Sequence, residues 1–214
     1  MRALLLILSF TVFTLHISLF AQTQESVDFE RGSFKLNTTS EIQSGLLRPA
    51  AKNLVVKQYA NGPSVKYPWE DVSFYRLGLR KYIRASGFLA KSSSGWSQQA
   101  VSEAFVQLLD SGAVSLMRYE RFASNPQGGT TEVLYLLKRA AEPNAATIPF
   151  SVLDGAGKKF REALLPYLTN RPDLIAAVND KKVTVYSLQT FIHALNNKVA
   201  FLNYPVQEQT LGSH

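Results

Sequence analysis

Tyr75-Arg76-Leu77-Gly78-Leu79-Arg80-Lys81-Tyr82-Ile83-Arg84 holds the densest set of ligand-binding groups in the chain. Cations interleaved with aromatic rings hold phosphate or acidic sugar by charge and by stacking. On a strand, Arg80, Tyr82 and Arg84 share one face while Lys81 and Ile83 take the other. The candidate binding residues are therefore Arg76, Arg80, Lys81, Tyr82 and Arg84. A simpler reading competes and is favoured: Tyr82 packs partly in a core, and the arginines guard a sheet edge against aggregation.

Other chemistries find little material. Beyond the first segment the only histidines are His193 and His214, and cysteine is absent, so no ordinary zinc site can be assembled. Calcium loops of spaced aspartates are missing. Asp154-Gly155-Ala156-Gly157-Lys158-Lys159 approaches a phosphate loop, but Val152 stands at the first glycine and Lys159 at the magnesium-holding Ser or Thr. The sequence therefore predicts no cofactor and no nucleotide. Neither G-x-S-x-G nor S-x-x-K occurs, which removes the common serine-hydrolase layouts. Glu70-Asp71 reads as a turn, because adjacent strand residues point to opposite faces.

Compartment is the strongest inference. Arg2 precedes the apolar run ALLLILSFTVF, and Leu19-Phe20-Ala21 ends on a small residue before QTQES. That is the layout of a secretory signal over residues 1–21. An uncleaved anchor is the alternative, since the run falls just short of a bilayer span. The expected location is exported, either periplasmic or secreted.

Formal charge is +7 over 214 residues, and it is uneven. Residues 31–139 carry 15 Lys or Arg against 7 Asp or Glu, whereas residues 140–214 carry 7 against 6. The surplus belongs to the first part and allows an anionic partner, with nucleic acid the least expected of these.

The elements that must position these groups follow from periodicity. Residues 22–28 read as a lead-in, and a single α+β domain is expected over 29–203. It divides into a β-rich part (29–139), a linker (140–150) and a helical part (151–203), followed by a polar tail (204–214). Glu41 to Arg48 reads as a strand ended by Pro49. Leu54–Tyr59 and Ser64–Tyr67 flank Asn61-Gly62, which suits a type I′ hairpin. Val72–Tyr75 and Arg80–Ala85 continue the pattern, then Ser92-Ser93-Ser94-Gly95 forms a loop that Trp96 could pin. Ala104 to Arg139 reads as a three-stranded meander broken at Asp110-Ser111-Gly112 and at 124–129. Helical spacing of Ala100, Ala104 and Leu108 offers a rival helix over 99–109, and the strand is preferred. Asp154 can cap a first helix that Pro166 should kink or end. Pro172 suits the start of a second, and Ser187 can cap a third bearing Leu188, Phe191, Ile192 and Leu195.

Several segments together resemble a known group. Asp28–Phe34, Lys81–Arg84, Phe105–Tyr119, Leu134–Lys138, Pro166–Leu168 and Arg171–Ile175 occur in that order. In this the chain is similar to signal-peptide-bearing proteins of the Bacteroidota with no established biochemical role. The resemblance implies a Gram-negative envelope or secreted setting and supplies no catalytic residues. A cysteine found near the second helix in that group is replaced here by Asn170-Arg171.

The expected fold is thus α+β, an antiparallel bent sheet or partial β-barrel followed by a small C-terminal helical segment. The favoured function is a non-enzymatic interaction module that binds another envelope protein. Binding of anionic glycan or lipid head groups, such as lipopolysaccharide, through 75–84 is the alternative. A hydrolase built from carboxylates that meet only in space is a further one.

Overall fold

A computed structural model describes residues 28–91, 98–125, 128–150 and 157–203. Ten antiparallel strands form one open sheet. They are β1 (Glu30–Leu36), β2 (Ile42–Pro49), β3 (Asn53–Lys57), β4 (Ser64–Pro68), β5 (Val72–Leu77), β6 (Arg80–Lys91), β7 (Gln98–Asp110), β8 (Val114–Asn125), β9 (Gly128–Arg139) and β10 (Ala146–Ile148). Their spatial order is β10-β9-β8-β7-β6-β5-β1-β2-β3-β4. The α+β architecture read from the sequence is what the chain adopts, with the sheet bent but not closed into a barrel.

One connection sets this order. After β4 the chain makes a 3₁₀ turn, Trp69–Asp71, and returns to pair with the free side of β1 rather than extending the edge. Arg84 anchors that turn. Its Nε donates to Val72 O (3.1 Å) and its Nη2 to Trp69 O (2.5 Å). The indole Nε1 of Trp69 donates to Ala50 O at 2.9 Å, and its ring lies 4.8 Å from Phe105 and 5.5 Å from Tyr75.

Three apolar clusters alternate between the faces. Phe34, Leu47, Leu54, Val56 and Tyr75 fill the bend of β1–β5 on one face. Ile83, Ala85, Phe88, Val106, Met117 and Leu136 fill the opposite face of β6–β9. Gly87 has φ 67°, a conformation that favours glycine, and Ala85 and Phe88, three residues apart, both join this second cluster. There the sheet curls until β10 meets β6, with Ala145 N donating to Ser86 O and Thr147 Oγ1 to Leu89 O. The segment 140–150, read as a linker, thus contains an edge strand.

The helices α1 (Lys158–Leu164), α2 (Pro172–Asn179) and α3 (Leu188–Asn197) cover the outer side of that curl. Phe160, Leu164, Leu174, Phe191 and Ile192 pack on Leu116, Leu137 and Ile148, and all are buried. Each such side chain contributes about 1.5–3 kcal/mol by leaving water. Pro166 ends α1 in a 3₁₀ turn, and Pro172 opens α2, as the sequence suggests.

Smaller expectations need correcting. Ser187 stands at the N-cap of α3 but makes no cap there; its Oγ instead accepts from Thr184 N at 3.0 Å, inside the preceding turn. The β3–β4 hairpin exists, but its last pair is Lys57↔Ser64, so Asn61-Gly62 sits within a longer loop. Neither residue has positive φ, so no type I′ turn forms. Pro63 explains this by biasing Gly62 toward extended backbone. The 92–95 loop with Trp96, and Asp154, lie outside the described residues.

Asn196 fastens α3 to the β7–β8 turn. Its Oδ1 accepts from Val114 N (3.0 Å), and its Nδ2 donates to Val114 O (2.8 Å) and Asp110 Oδ1 (2.6 Å). Gly112 does not use positive φ; glycine is needed because a Cβ there would lie 2.6 Å from Asn196 Cγ. Replacing Asn196 with Ala should cost roughly 2–4 kcal/mol, since stranded part-buried groups cost about 1–3 each; urea unfolding monitored by circular dichroism checks it.

Arg171 joins the ends of α2 and α3, donating to Ala194 O and Val199 O while Asp173 grips its Nε and Nη2. That guanidinium holds the Asp173 carboxyl down to about 2. A depressed folded pKa stabilises above the unfolded value near 3.8 and stops stabilising as pH falls through the folded one. Asp173→Asn should therefore flatten the acid limb of the stability profile between about pH 4 and 2, read by thermal melts across that window.

Candidate functional site

The pleat divides the 75–84 stretch between two faces with different surroundings. Tyr75 pairs with Tyr82, Arg76 with Lys81, and Leu77 with Arg80, joined by a two-residue connection in which Gly78 takes φ 51°. Arg80, Tyr82 and Arg84 share the face of the first cluster, as the sequence suggests. There they are already engaged. Arg80 Nη2 lies 2.6 Å from Glu30 Oε2, and Arg84 Nη1 lies 3.1 Å from Glu103 Oε1. Tyr82 stacks on Tyr75 at 4.7 Å between ring centroids. Burial raises both phenols, so neither ionises in the usual range. On this face the core reading of Tyr82 fits, while Arg84 clamps the 3₁₀ turn rather than guarding an edge.

Arg76 and Lys81 point to the other face, and register brings five more cations beside them. Ser33↔Arg76 and Lys35↔Phe74 place β1, Arg31↔Leu46 and Ser33↔Ser44 place β2, and Leu46↔Lys57 and Arg48↔Val55 place β3. Val55↔Lys66 then adds β4. Arg31, Lys35, Arg48, Lys57, Lys66, Arg76 and Lys81 thus share one face across six adjacent strands, about 24 Å at ~4.8 Å per strand. No Asp or Glu occupies a register position on that face, and Ser33, Ser44 and Ser64 stand between the cations.

Ring contacts and missing pairs distinguish this face further. Lys57 Nζ lies 4.6 Å and Arg48 Cζ 4.9 Å from the Phe29 ring, and Lys81 Nζ lies 5.1 Å from the Phe74 ring. Among the described residues these seven cations form no salt bridge, and Arg48 Nε is buried without a hydrogen-bond partner. Arg76 directly opposite Lys81 is a like-charge pair, which destabilises a sheet. The arrangement suits an extended anion that supplies the missing negative charge.

Of the cations on this face the sequence reading names Arg76 and Lys81 and leaves out Arg31, Lys35, Arg48, Lys57 and Lys66. The available signal was cations at alternate positions in apolar strands, as in Arg31-x-Ser33-x-Lys35 and Val65-Lys66-Tyr67. Which of them share a face depends on cross-strand register.

The histidine readings can also be placed. His193 is exposed on α3, its Nδ1 3.0 Å from Asp110 Oδ2, where it borders the Asn196 junction. Among the described residues no group of three His, Cys, Asp or Glu converges on one point, and no helix is long and apolar enough to cross a membrane. Comparison with protein-family models, with curated proteins and with solved structures finds no match.

Two substitutions separate the roles of the stretch. Arg84→Met should lower stability by roughly 2–4 kcal/mol, because hydrogen bonds to charged groups contribute about 1.5–3 each. Arg76→Glu should raise stability by about 0.2–1 kcal/mol at low salt, turning a like-charge pair into an attractive one. Urea titrations at low salt and at about 0.5 M salt check both, since only the second effect is screened away.

Proposed function

We propose that the protein is an exported, non-enzymatic binding module whose cationic sheet face docks on a polyanionic envelope component. The chemistry required of the partner is closely spaced negative charge, as in an acidic glycan or the phosphorylated head groups of lipopolysaccharide. The observation that carries the reading is a set of seven cations that form no salt bridge among the described residues, with no acid at any register position of the same face. Such a surface attracts anions over a Debye length and binds them through ammonium and guanidinium donors. The serine hydroxyls between the cations add neutral donors, and Phe29 and Phe74 hold the long side chains above the sheet. Export rests on the basic, apolar and small-residue order of the first twenty-one residues.

A carboxylate hydrolase finds less support. Glu103 is ion-paired with Arg84 and Glu120 with Arg118, and nothing distinguishes one as proton donor and the other as base.

Heparin–agarose and vesicles containing lipopolysaccharide, compared at rising salt, test the proposal and separate its two ligand sources. The protein should be retained at low salt and released steeply by about 0.5 M. The triple variant Arg31→Glu, Lys57→Glu, Arg76→Glu should lose most retention while keeping the wild-type circular dichroism spectrum. Retention indifferent to salt, or unchanged in the triple variant, would show that the face is not the docking surface.

A further inference from the structure

The ladder between β7 and β8 stops early. It comprises Gln107↔Arg118, Leu108↔Met117 and Asp110↔Leu116 only. On either side the ladders continue much further, β6–β7 out to Lys91↔Gln98 and β8–β9 out to Asn125↔Gly128. Two long hairpins therefore share a base and part beyond it. Along the fork, β7 from Gln98 to Val106 and β8 from Tyr119 to Asn125 present inner edges with no ladder partner among the described residues.

The separation has a visible cause. The β6–β7 hairpin is held toward β10 by the Ala145–Ser86 and Thr147–Leu89 bonds. Phe88 wedges beneath it, its ring 5.1 Å from that of Tyr119. A cavity of about 600 Å³ occupies the crotch, bounded by Glu103 and Phe105 on β7, Glu120 on β8, and Trp69 and Glu70 on the 3₁₀ turn. That size falls within the range of ligand sites.

We propose that this fork is a second binding site, one that receives an extended peptide segment of a partner protein carrying a lysine or arginine. Three features select that ligand. Unpaired strand edges offer N–H and C=O groups at the repeat of another main chain, which is how β-strand addition gains affinity. A glycan or lipid head group has no such repeat. Of the three carboxylates at the mouth, Glu103 is ion-paired with Arg84 and Glu120 with Arg118, whereas Glu70 is exposed and forms no salt bridge among the described residues. A basic side chain pairs with Glu70 while its alkyl stem lies along Trp69 and Phe105. Acidic residues along an edge also deter self-pairing, but edge protection needs no cavity beside them. The fork is separate from the cationic face, which lies on β1–β6 and turns to the opposite side.

The test uses a blocked hexapeptide of alternating lysine and valine, its fully backbone-N-methylated analogue, and an alternating glutamate–valine peptide. Hydrogen–deuterium exchange of the full protein should show slowed amides within 101–105 or 119–121 with the first peptide. The N-methylated analogue should bind at least about tenfold more weakly, a loss of ~1.4 kcal/mol, and the glutamate peptide should leave exchange unchanged. Glu70→Gln, on the exposed rim, should weaken the lysine peptide several-fold, and the Arg31, Lys57, Arg76 charge-reversal variant should not. No slowed amides at millimolar peptide, protection on β4 instead of the fork, or equal binding of the N-methylated analogue would each overturn the assignment.

Discussion

Every strand residue points to the face opposite its neighbours, and here the apolar clusters do not stay on one face. The first lies on the Tyr75–Tyr82–Phe105 side of β1–β7 and the second on the Ile83–Val106–Met117 side of β6–β9. Such a sheet has to bend one way and then the other to bury both, and an open sheet with two oppositely facing cores is the result. Long strands make this possible. β6 and β7 run 12 and 13 residues, so each contributes to both clusters. Closing the sheet into one barrel would leave one of the two clusters outside. The helices resolve the remaining conflict by covering Leu116 and Leu137, which face away from the second cluster.

The charge distribution follows from the same alternation. On the first-cluster face, acids accompany the cations because that face is partly dry: Arg84, with a side chain 27% exposed, has Glu103 and two carbonyls. A charge so placed without partners would cost several kcal/mol. The cations of the opposite face are exposed or half-exposed, so solvent reaches their charge without an acid beside them, Arg48 Nε being the one buried exception among them. Solvation permits the unpaired set without requiring it, and folding gains nothing from setting Arg76 against Lys81. No acid stands at a register position of that face on any of the six strands.

How much was legible in the sequence depended on whether a signal was local. The strands read over 41–48, 72–75 and 114–119, the punctuation at Asp110–Gly112, and the prolines at 166 and 172 each rest on signals within a few residues, and the structure has strands at 42–49, 72–77 and 114–125 with a turn and helix ends at the others. Residues 99–109 satisfied both periods, and the sheet decided, because β7 needs β6 and β8 on either side. The return of β5 to β1 left no local trace, since it depends on Arg84 catching carbonyls twelve and fifteen residues away. With that pairing unread, the alternation rule could sort Arg80 from Lys81 but could not bring Arg31, Lys35 or Lys57 to the same surface. The edge strand within 140–150 was hidden similarly, because three residues carry too little pattern to outweigh Pro143 and the alanines.

The fork belongs to the same class of non-local feature. Each hairpin alone is regular, and nothing within either announces that its neighbour departs. Parting is enforced where β10 attracts β6 and draws one hairpin out of the plane of the other, so the closure that nearly forms a barrel opens the ladder beside it. A ladder interrupted in mid-sheet sacrifices several backbone hydrogen bonds, each contributing about 0.5–1.5 kcal/mol net, and leaves edges that invite association. The strands run on to full length without using the bonds that length would provide. Bound main chain would restore them. The fork and the cationic face address different sides of the sheet, so on the proposed reading occupation of one leaves the other open.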